Sequence, residues 1–431
     1  MLYRKIRSYI DDHLRSNEDK ILLIEGARQI GKSYIIRDVG TELYDNYVEI
    51  NFVEDDAGDK IFKNVRTTEE FYLNLSMVAG FKLDKYENTL VFIDEIQHYP
   101  QFLTMLKFLR QEHRYRFICS GSLLGIALKK TVSVPVGSII PKKMYQLDFE
   151  EFLIANDFGE DAIVHLRKSF EQKQPLAPEV HDKVLSLFKR YLLVGGMPDA
   201  VNEYLNSHNI VKVREAQESI RELYGVDASR YEEDAAKKLY IRRIYDMIPS
   251  QMENKKKRIV AKDILDRKGD RFSNYMEEFE YLINSGITIA SNAISNPKYP
   301  LAESQQKNLL KLYMNDVGML SSQLYHYNIQ PILNDIASIN LGSVYESAVA
   351  QELKAHYEKL FYYDNKQKGK VDFLVADSGT MSVLPIEVKS GKDYTVHSAL
   401  DNLMTIQDYH IISSIVLSNE REIKTKGNIL Y

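Results

Sequence analysis

The chain has 431 residues, of which 44% are hydrophobic and 27% charged, and it carries a formal net charge of −5 at pH 7. This composition is typical of a globular protein with about two to four domains, and it excludes a globally basic nucleic-acid-binding protein. One cysteine, Cys119, excludes an internal disulfide or a zinc site built from several cysteines. No apolar run reaches the roughly 20 residues of a membrane span, and residues 1–7 lack the apolar core of a signal peptide. We therefore expect a cytoplasmic protein that does not enter a membrane.

A phosphate-binding loop is predicted directly after the first apolar strand, which covers residues 21–24. The loop has the pattern Gly-x-x-x-x-Gly-Lys-Ser, and its residues are Gly26, Ala27, Arg28, Gln29, Ile30, Gly31, Lys32 and Ser33. Glycines allow backbone N–H groups to turn toward phosphate oxygens, and the next helix directs its positive dipole at the same anion. Lys32 is expected to contact the β- and γ-phosphates of ATP, and the Ser33 hydroxyl to bind Mg²⁺.

Two further predicted strands end in polar residues that complete such a site. The strand at residues 89–93 is followed by Asp94 and Glu95, at the edge of a parallel sheet where ligands bind. Asp94 is predicted to hold Mg²⁺, and Glu95 to polarise the attacking water. The strand at residues 116–119 leads to Ser120 and Ser122, which are candidates to sense the γ-phosphate, although small polar residues are also common where strands end.

The order of these motifs resembles a prokaryotic AAA-type ATPase family (AAA_14) whose members carry a C-terminal DUF4143 domain related to PD-(D/E)xK nucleases. The segments that carry the resemblance are 26–32, 92–97, 120–122, 147–153, 195–198, 312–318 and 386–389. The resemblance implies an α/β fold with four parts: a P-loop parallel-sheet ATPase domain, a helical lid, a winged-helix domain and a nuclease-like domain. Their expected ranges are 1–155, 156–225, 226–300 and 301–431.

One position departs from the family pattern. Family members often have Gly-Arg before the block at 147–153, and the aligned pair here is Gly137-Ser138. An arginine at this place would stabilise charge during hydrolysis. Either another basic residue replaces it or hydrolysis is slow. The basic residues nearby in sequence are Arg110, Lys129, Lys130, Lys142 and Lys143.

The middle of the chain is predicted to be helical up to about residue 224, where apolar residues recur at spacings of three and four. Residues 252–271 then hold eight basic and four acidic residues, and a helix at 275–282 and a strand at 286–290 follow. This order fits a winged helix. The basic stretch either neutralises DNA phosphates or is a solvated loop in front of a structural winged helix.

A second cluster of charged residues is predicted near the C-terminus. Residues 370–375 and 383–389 alternate like strands, so Glu387 and Lys389 share one face, and Asp372 lies on the preceding strand. Asp372 and Glu387 would hold Mg²⁺ or Mn²⁺, and Lys389 would orient water. Glu346 lies on the apolar stripe of a helix and should meet a metal or another cation. A surface strand with alternating charges would show the same pattern.

Two functions follow from this organisation. In the first, the protein binds and hydrolyses ATP with Mg²⁺ and couples the nucleotide state to a nuclease-like module that acts on DNA or another nucleic acid. In the second, it is a nucleotide-dependent switch that recruits a protein partner, and its nuclease-like domain is inactive. A ring-shaped motor is a weaker third possibility.

Overall fold

The chain folds into two units, which the computed structural model describes over residues 2–122, 137–230, 234–254, 257–266, 269–334, 339–391 and 394–431. The N-terminal unit contains residues 3–146 together with 284–286, and the C-terminal unit contains residues 147–283 and 287–431. None of the helices in these ranges combines the length and apolar character that crossing a lipid bilayer requires.

The N-terminal unit is built on a five-stranded sheet with the order β2-β3-β4-β1-β5, in which every pair is parallel. The strands are β1 (Ile21–Glu25), β2 (Asn46–Asn51), β3 (Thr89–Asp94), β4 (Arg116–Gly121) and β5 (Ile139–Lys143). The helices are α1 (Ile6–Arg15), α2 (Lys32–Leu43), α3 (Phe52–Ala57), α4 (Thr68–Ala79) and α5 (Gln101–Glu112).

The apolar runs of β1 and β3 form central strands because helices cover both faces of a parallel sheet. Every residue of β3 is buried, and its Phe92 is fully enclosed. Phe52, Phe71 and Phe102 from three helices pack into the same core, with ring centroids 4.6 to 5.7 Å apart where they touch. Because the strands are parallel, the residues that follow β1, β3 and β4 meet at one edge of the sheet.

The C-terminal unit begins with helices, as the spacing of apolar residues predicts. They are α6 (Phe149–Ala155), α7 (Glu160–Glu171), α8 (Pro178–Val194), α9 (Pro198–Ser207), α10 (Ile210–Arg230), α11 (Ala235–Glu253), α12 (Lys262–Leu265) and α13 (Met276–Asn284). Later helices are α14 (Val317–Tyr325), α15 (Gln330–Leu333), α16 (Gly342–His356) and α17 (Ser398–Met404).

A close contact between two distant motifs fixes the turn after α8. The carboxylate of Asp316 accepts a hydrogen bond of 2.6 Å from the Gly196 N–H, and burial raises its pKa to about 6. A Cβ at Gly196 would lie 2.0 Å from the backbone oxygen of Leu147, so only glycine fits there. Gly195 has φ +73 and packs against the same carboxylate. The segments 195–198 and 312–318 are therefore linked by packing.

An eight-stranded mixed sheet with the order β12-β13-β11-β10-β9-β8-β6-β7 completes the unit. Its strands are β6 (Thr288–Ile294), β7 (Gln305–Met314), β8 (Leu360–Asn365), β9 (Gly369–Asp377), β10 (Ser382–Val388), β11 (Ser414–Leu417), β12 (Thr425–Lys426) and β13 (Ile429–Leu430). Strand β6 pairs antiparallel with β7 and parallel with β8.

This pairing differs from the predicted division of the chain. The expected boundary between residues 300 and 301 falls between β6 and β7, which are hydrogen-bonded to each other. Helices α11 to α13 and the β6–β7 pair do follow the order expected of a winged helix. However, β6 also joins β8, so the strands expected in a winged-helix domain and those expected in the nuclease-like domain form one sheet.

Candidate functional site: the phosphate loop and the C-terminal charge cluster

The phosphate loop connects β1 to α2, and glycines make its path possible. Gly31 precedes the first residue of α2 with φ +89, in the left-handed region that favours glycine. At Gly26 a Cβ would lie 2.3 Å from the backbone oxygen of Met144, so a side chain cannot be accommodated. The helix N-terminus at Lys32 therefore follows a tight loop, as phosphate binding requires.

The ammonium group of Lys32 is held inside the loop. Its Nζ donates hydrogen bonds to the backbone oxygens of Gly26 at 3.0 Å and Ala27 at 2.7 Å. Burial lowers the pKa of Lys32, while the nearby carboxylates of Glu95 and Asp94 act in the opposite direction. The amine is thus a buried cation bound by neutral carbonyls, and phosphate oxygens are stronger partners for it.

The carboxylate of Asp94 contacts two other predicted site residues, Ser33 and Ser120. Its Oδ2 accepts a hydrogen bond from the Ser33 hydroxyl at 2.7 Å, and its Oδ1 accepts one from the Ser120 hydroxyl. Ser120 is fully buried at the end of β4, so it fixes the orientation of the carboxylate. The adjacent oxygens of Ser33 and Asp94 are the ligand type that Mg²⁺ prefers, and their contact fits the predicted metal position.

Glu95 follows β3 in a left-handed backbone conformation, with φ +54, which turns its side chain away from the strand. Its Oε2 accepts hydrogen bonds from the Gln97 side-chain amide and, at 3.2 Å, from the Ser122 hydroxyl. The guanidinium of Arg28 lies 3.7 Å from the same oxygen. Sequence reasoning included Gln97 in a motif but gave it no role, although its position two residues after Glu95 is a usable signal.

The place of Ser138 corrects the inference drawn from the missing arginine. The Ser138 carbonyl accepts a hydrogen bond from the Ile21 N–H, at the first residue of β1, whereas the phosphate loop follows the last residue of that strand. Five residues of a strand span about 16 Å. An arginine at 138 would therefore lie at the opposite edge of the sheet from this chain's own loop, where it could not contact a nucleotide bound to that loop.

Of the other basic residues considered as replacements, Arg110 lies far from the loop, whereas Lys142 and Lys143 on β5 lie beside Ile24 and Glu25 at the end of β1. Both oxygens of Asp19 accept hydrogen bonds of 2.8 Å from Arg110, at the same far edge as Ser138. Lys142 lies over the ring of Tyr9 at 4.3 Å. Lys143 lies beside Glu25, whose pKa is raised by burial. Lys129 and Lys130 fall outside the described residues.

The C-terminal cluster centres on Glu346, which is buried on α16. Its Oε1 accepts hydrogen bonds from Lys311 Nζ at 2.6 Å and from the Tyr313 hydroxyl at 2.7 Å, and its Oε2 accepts one from Lys257 Nζ at 2.7 Å. Burial acts to raise the pKa of Glu346, but the two ammonium groups lower it to about 2. The sequence predicts that this carboxylate contacts a cation, and in the structure it contacts two lysines.

The other predicted residues of the cluster lie beside it. Asp372 on β9 accepts a hydrogen bond of 2.9 Å from the Val388 N–H. Burial, with the charges of Glu346 and Glu387, raises the pKa of Asp372 to about 7. Glu387 on β10 pairs with Lys389 at 2.9 Å, and its Oε2 is buried without a hydrogen-bond partner. The structure therefore gathers all four predicted residues into one group.

This arrangement does not fit the predicted metal site. Within the described ranges, no group of three or more histidine, cysteine, aspartate and glutamate side chains is arranged to hold a metal ion. The carboxylate oxygens of Glu346 already bind Lys257 and Lys311, which supply the positive charge that a metal would bring. Sequence reasoning missed Lys311, because a lysine between Leu310 and Leu312 also fits a strand with one solvent-exposed face and gives no sign of burial.

The basic stretch at 252–271 is partly used by this cluster. Lys257 binds Glu346, and Arg258 lies 3.6 Å from Asp364 on β8. Lys255, Lys256, Arg267 and Lys268 fall outside the described residues. Of the four basic residues of this stretch that the structure describes, Lys257 and Arg258 are engaged by carboxylates of the protein itself, whereas Lys262 and Arg271 are exposed. The structural interpretation therefore holds for the first pair, and the second pair leaves the DNA-binding interpretation open.

Family models match three parts of the chain. Residues 18–153 match a family model described as an AAA domain, and residues 341–431 match a domain of unknown function, DUF4143. By these matches, the chain carries an AAA domain in its N-terminal part and a DUF4143 domain at its C-terminal end. A further domain of unknown function, DUF8612, matches residues 185–327. That range contains both partners of the Gly196–Asp316 contact and spans the boundaries expected at 225 and 300.

Solved structures with partial similarity to this AAA-domain protein are distant. A Walker-type ATPase of Pyrococcus abyssi is 16% identical, covers 74% of this chain and 95% of its own, and gives a TM-score of 0.43. The Aeropyrum pernix Orc1 protein in complex with DNA is 12% identical, with 78% and 91% covered and a TM-score of 0.34. The Thermotoga maritima RuvB Holliday junction branch migration motor is 14% identical, with 67% and 89% covered and a TM-score of 0.31. The comparison with curated proteins gave no match.

Proposed function

We propose that the AAA domain binds ATP together with Mg²⁺ and hydrolyses it. The observation that carries this proposal is the position of Asp94, whose two carboxylate oxygens accept hydrogen bonds from Ser33 of the phosphate loop and from Ser120 of β4. One carboxylate thus joins the loop to the neighbouring strand. This is the arrangement expected where a triphosphate and its metal ion bind at the edge of a parallel sheet.

Each residue has a role that follows from its surroundings. The backbone N–H groups of the loop and the Lys32 ammonium group bind the phosphates. Ser33 and Asp94 would hold Mg²⁺, which neutralises negative charge on the phosphate oxygens. Glu95 accepts a proton from the attacking water, and Gln97 and Ser122 orient its carboxylate by the hydrogen bonds that they donate.

The substitution Glu95→Gln tests hydrolysis separately from binding. We expect kcat for phosphate release to fall about 100-fold or more, because the amide cannot accept the water proton. The dissociation constant for ATP, measured by titration with a fluorescent analogue, should change less than about threefold since Lys32 and the loop remain. Glu69→Gln, an exposed position in the first turn of α4, is the control. A Glu95→Gln protein with wild-type kcat would remove Glu95 from this role.

For the DUF4143 domain, the charges around Glu346 favour the second of the two predicted functions. Two of the three carboxylates are bound by lysines: Glu346 by Lys257 and Lys311, and Glu387 by Lys389. A metal-dependent nuclease needs carboxylates that are available to a divalent ion. We therefore favour a nucleotide-dependent switch that recruits a protein partner and whose nuclease-like domain is inactive.

An assay on the full chain tests this choice. The purified protein is incubated with supercoiled DNA and with RNA, with Mg²⁺ or Mn²⁺, and with or without ATP. We expect no cleavage under any of these conditions. Cleavage that disappears in both the Glu387→Ala and the Lys389→Ala protein, but persists in a variant of an exposed residue such as Lys359→Ala, would contradict the switch and restore the nuclease.

A further inference from the structure

Arg28 is the third residue of the phosphate loop, and its side chain lies beside the carboxylate of Glu95, which follows β3. Its guanidinium lies 3.7 Å from Glu95 Oε2, and its Nε lies 3.5 Å from the Ser122 hydroxyl. The side chain is 21% exposed, so it lines the loop and still reaches solvent. Its charge also acts on Lys32, which places two cations at the same end of the site.

We propose that Arg28 contacts the γ-phosphate of ATP and supplies, from within the chain, the positive charge that stabilises phosphoryl transfer. The inference rests on the proposed ATPase function and deepens it. An arginine can supply this charge from the same chain or from a partner, and Arg28 is placed for the first case. Arg110 and Ser138 lie at the opposite edge of the sheet and cannot act on this chain's own loop.

The contact between Arg28 and Glu95 is weak enough for a phosphate group to replace Glu95 as the partner of Arg28. A distance of 3.7 Å is near the limit for an ion pair, and a partly exposed pair of this kind contributes little to stability. A triphosphate carries several negative charges and offers an arginine two oxygens at once. When ATP enters, we expect the guanidinium to leave Glu95 and bind the γ-phosphate.

Glu95 stays oriented when this exchange takes place, because Gln97 and Ser122 both donate hydrogen bonds to its Oε2. In the reaction, the water oxygen forms a bond to the γ-phosphorus while the bond to the bridging oxygen of ADP breaks. The water proton passes to Glu95. Arg28 keeps its proton throughout and acts through charge and hydrogen bonds alone. Because Arg28 contacts Glu95 in the free protein and the γ-phosphate in the complex, Glu95 is released to accept the water proton only when ATP is bound.

Affinity for ATP compared with ADP tests the contact without requiring turnover. With fluorescent analogues of both nucleotides, we expect Arg28→Ala to weaken ATP binding about tenfold or more and to change ADP binding less than about twofold. Arg28→Lys should recover part of the ATP affinity, because lysine keeps the charge but not the fork of donors. Arg15→Ala, which removes an exposed arginine paired with Asp11 on α1, is the matched control.

Measurement of kcat for the same variants, together with their affinities, distinguishes failure of this inference from failure of the proposed function. At saturating ATP we expect kcat of Arg28→Ala to fall about 100-fold or more, with partial recovery in Arg28→Lys. If the wild-type protein binds ATP but Arg28→Ala keeps its preference for ATP over ADP, the inference is overturned while the proposed function stands. An equal loss of ATP and ADP binding would indicate a structural role for Arg28 and would also overturn it. Absence of ATP binding in the wild-type protein would instead overturn the proposed function.

Discussion

Replacement of Lys32 with alanine is expected to abolish measurable ATP binding and hydrolysis. The Lys32 ammonium group is the buried cation of the loop, and among the residues that the structure describes its hydrogen-bond acceptors are the carbonyl oxygens of Gly26 and Ala27. Two charge-assisted hydrogen bonds to phosphate contribute about 3 kcal/mol or more, which corresponds to a roughly 100-fold or greater change in the dissociation constant. Isothermal titration of ATP in the presence of Mg²⁺ measures this change directly.

The fold should survive the substitution, because the alanine leaves only two carbonyl oxygens without a donor. The melting temperature of Lys32→Ala therefore needs to be measured alongside its affinity. Lys107→Ala, which removes an exposed lysine from α5, serves as the control and should bind ATP like the wild-type protein. Unchanged ATP affinity in a folded Lys32→Ala protein would contradict the assignment of the phosphate loop.

Replacement of Glu346 with glutamine should be among the most destabilising single changes in the C-terminal unit. Lys311 is buried and Lys257 partly buried, and both donate hydrogen bonds to the Glu346 carboxylate. Removing the negative charge leaves these cations uncompensated in the interior, which costs about 3–5 kcal/mol in comparable buried pairs. Urea unfolding, followed by tyrosine fluorescence, reports the free energy of unfolding.

A double substitution distinguishes charge balance from packing. Lys311→Met alone should also destabilise the unit, whereas Glu346→Met combined with Lys311→Met should recover part of the loss, since buried ion pairs can be replaced by apolar side chains of similar volume. Glu358→Gln, an exposed change near the end of α16, should alter the free energy of unfolding by less than about 0.5 kcal/mol. A loss of less than about 1 kcal/mol in Glu346→Gln would show that the lysines do not depend on this carboxylate.

The nucleotide site was predictable because its information is local. The apolar run before Gly26 and the Gly-Lys-Ser ending of the loop specify a strand, a turn and a helix within a short segment. Asp94 and Ser120 follow strands whose burial on both faces is evident from their apolar residues. Since such strands pair in parallel, their ends had to meet at one edge. The contact of Asp94 with both Ser33 and Ser120 follows from these rules.

The C-terminal cluster depended on contacts that no local pattern specifies. Glu346 required a cation, and that much followed from its place on an apolar helix face. Its partners Lys257 and Lys311 lie 89 and 35 residues away along the chain. The Gly196–Asp316 contact spans 120 residues. The packing of whole helices and strands decides which distant residue reaches a buried charge. That packing cannot be inferred from the residues next to the charge in a single sequence.

Strand register and strand pairing also depend on contacts that no local pattern specifies. Alternation predicts strands at 370–375 and 383–389, close to the observed β9 and β10. It says nothing about which strand lies beside β8. The position of Ser138 could not be predicted for a related reason, because sequence position relative to a motif does not reveal which edge of a sheet a residue occupies.

The pairing of β6 with β8 determines how this protein can be divided. A fragment that starts at residue 341, where the match to DUF4143 begins, would lack β6 and leave one side of β8 without hydrogen-bond partners. An open, apolar strand of this kind is a template for pairing between molecules, so the fragment should self-associate. It would also lose Lys257 and Lys311 and keep Glu346 as an uncompensated charge. The smallest piece suitable for expression on its own must therefore start before the basic stretch, well upstream of the recognised domain.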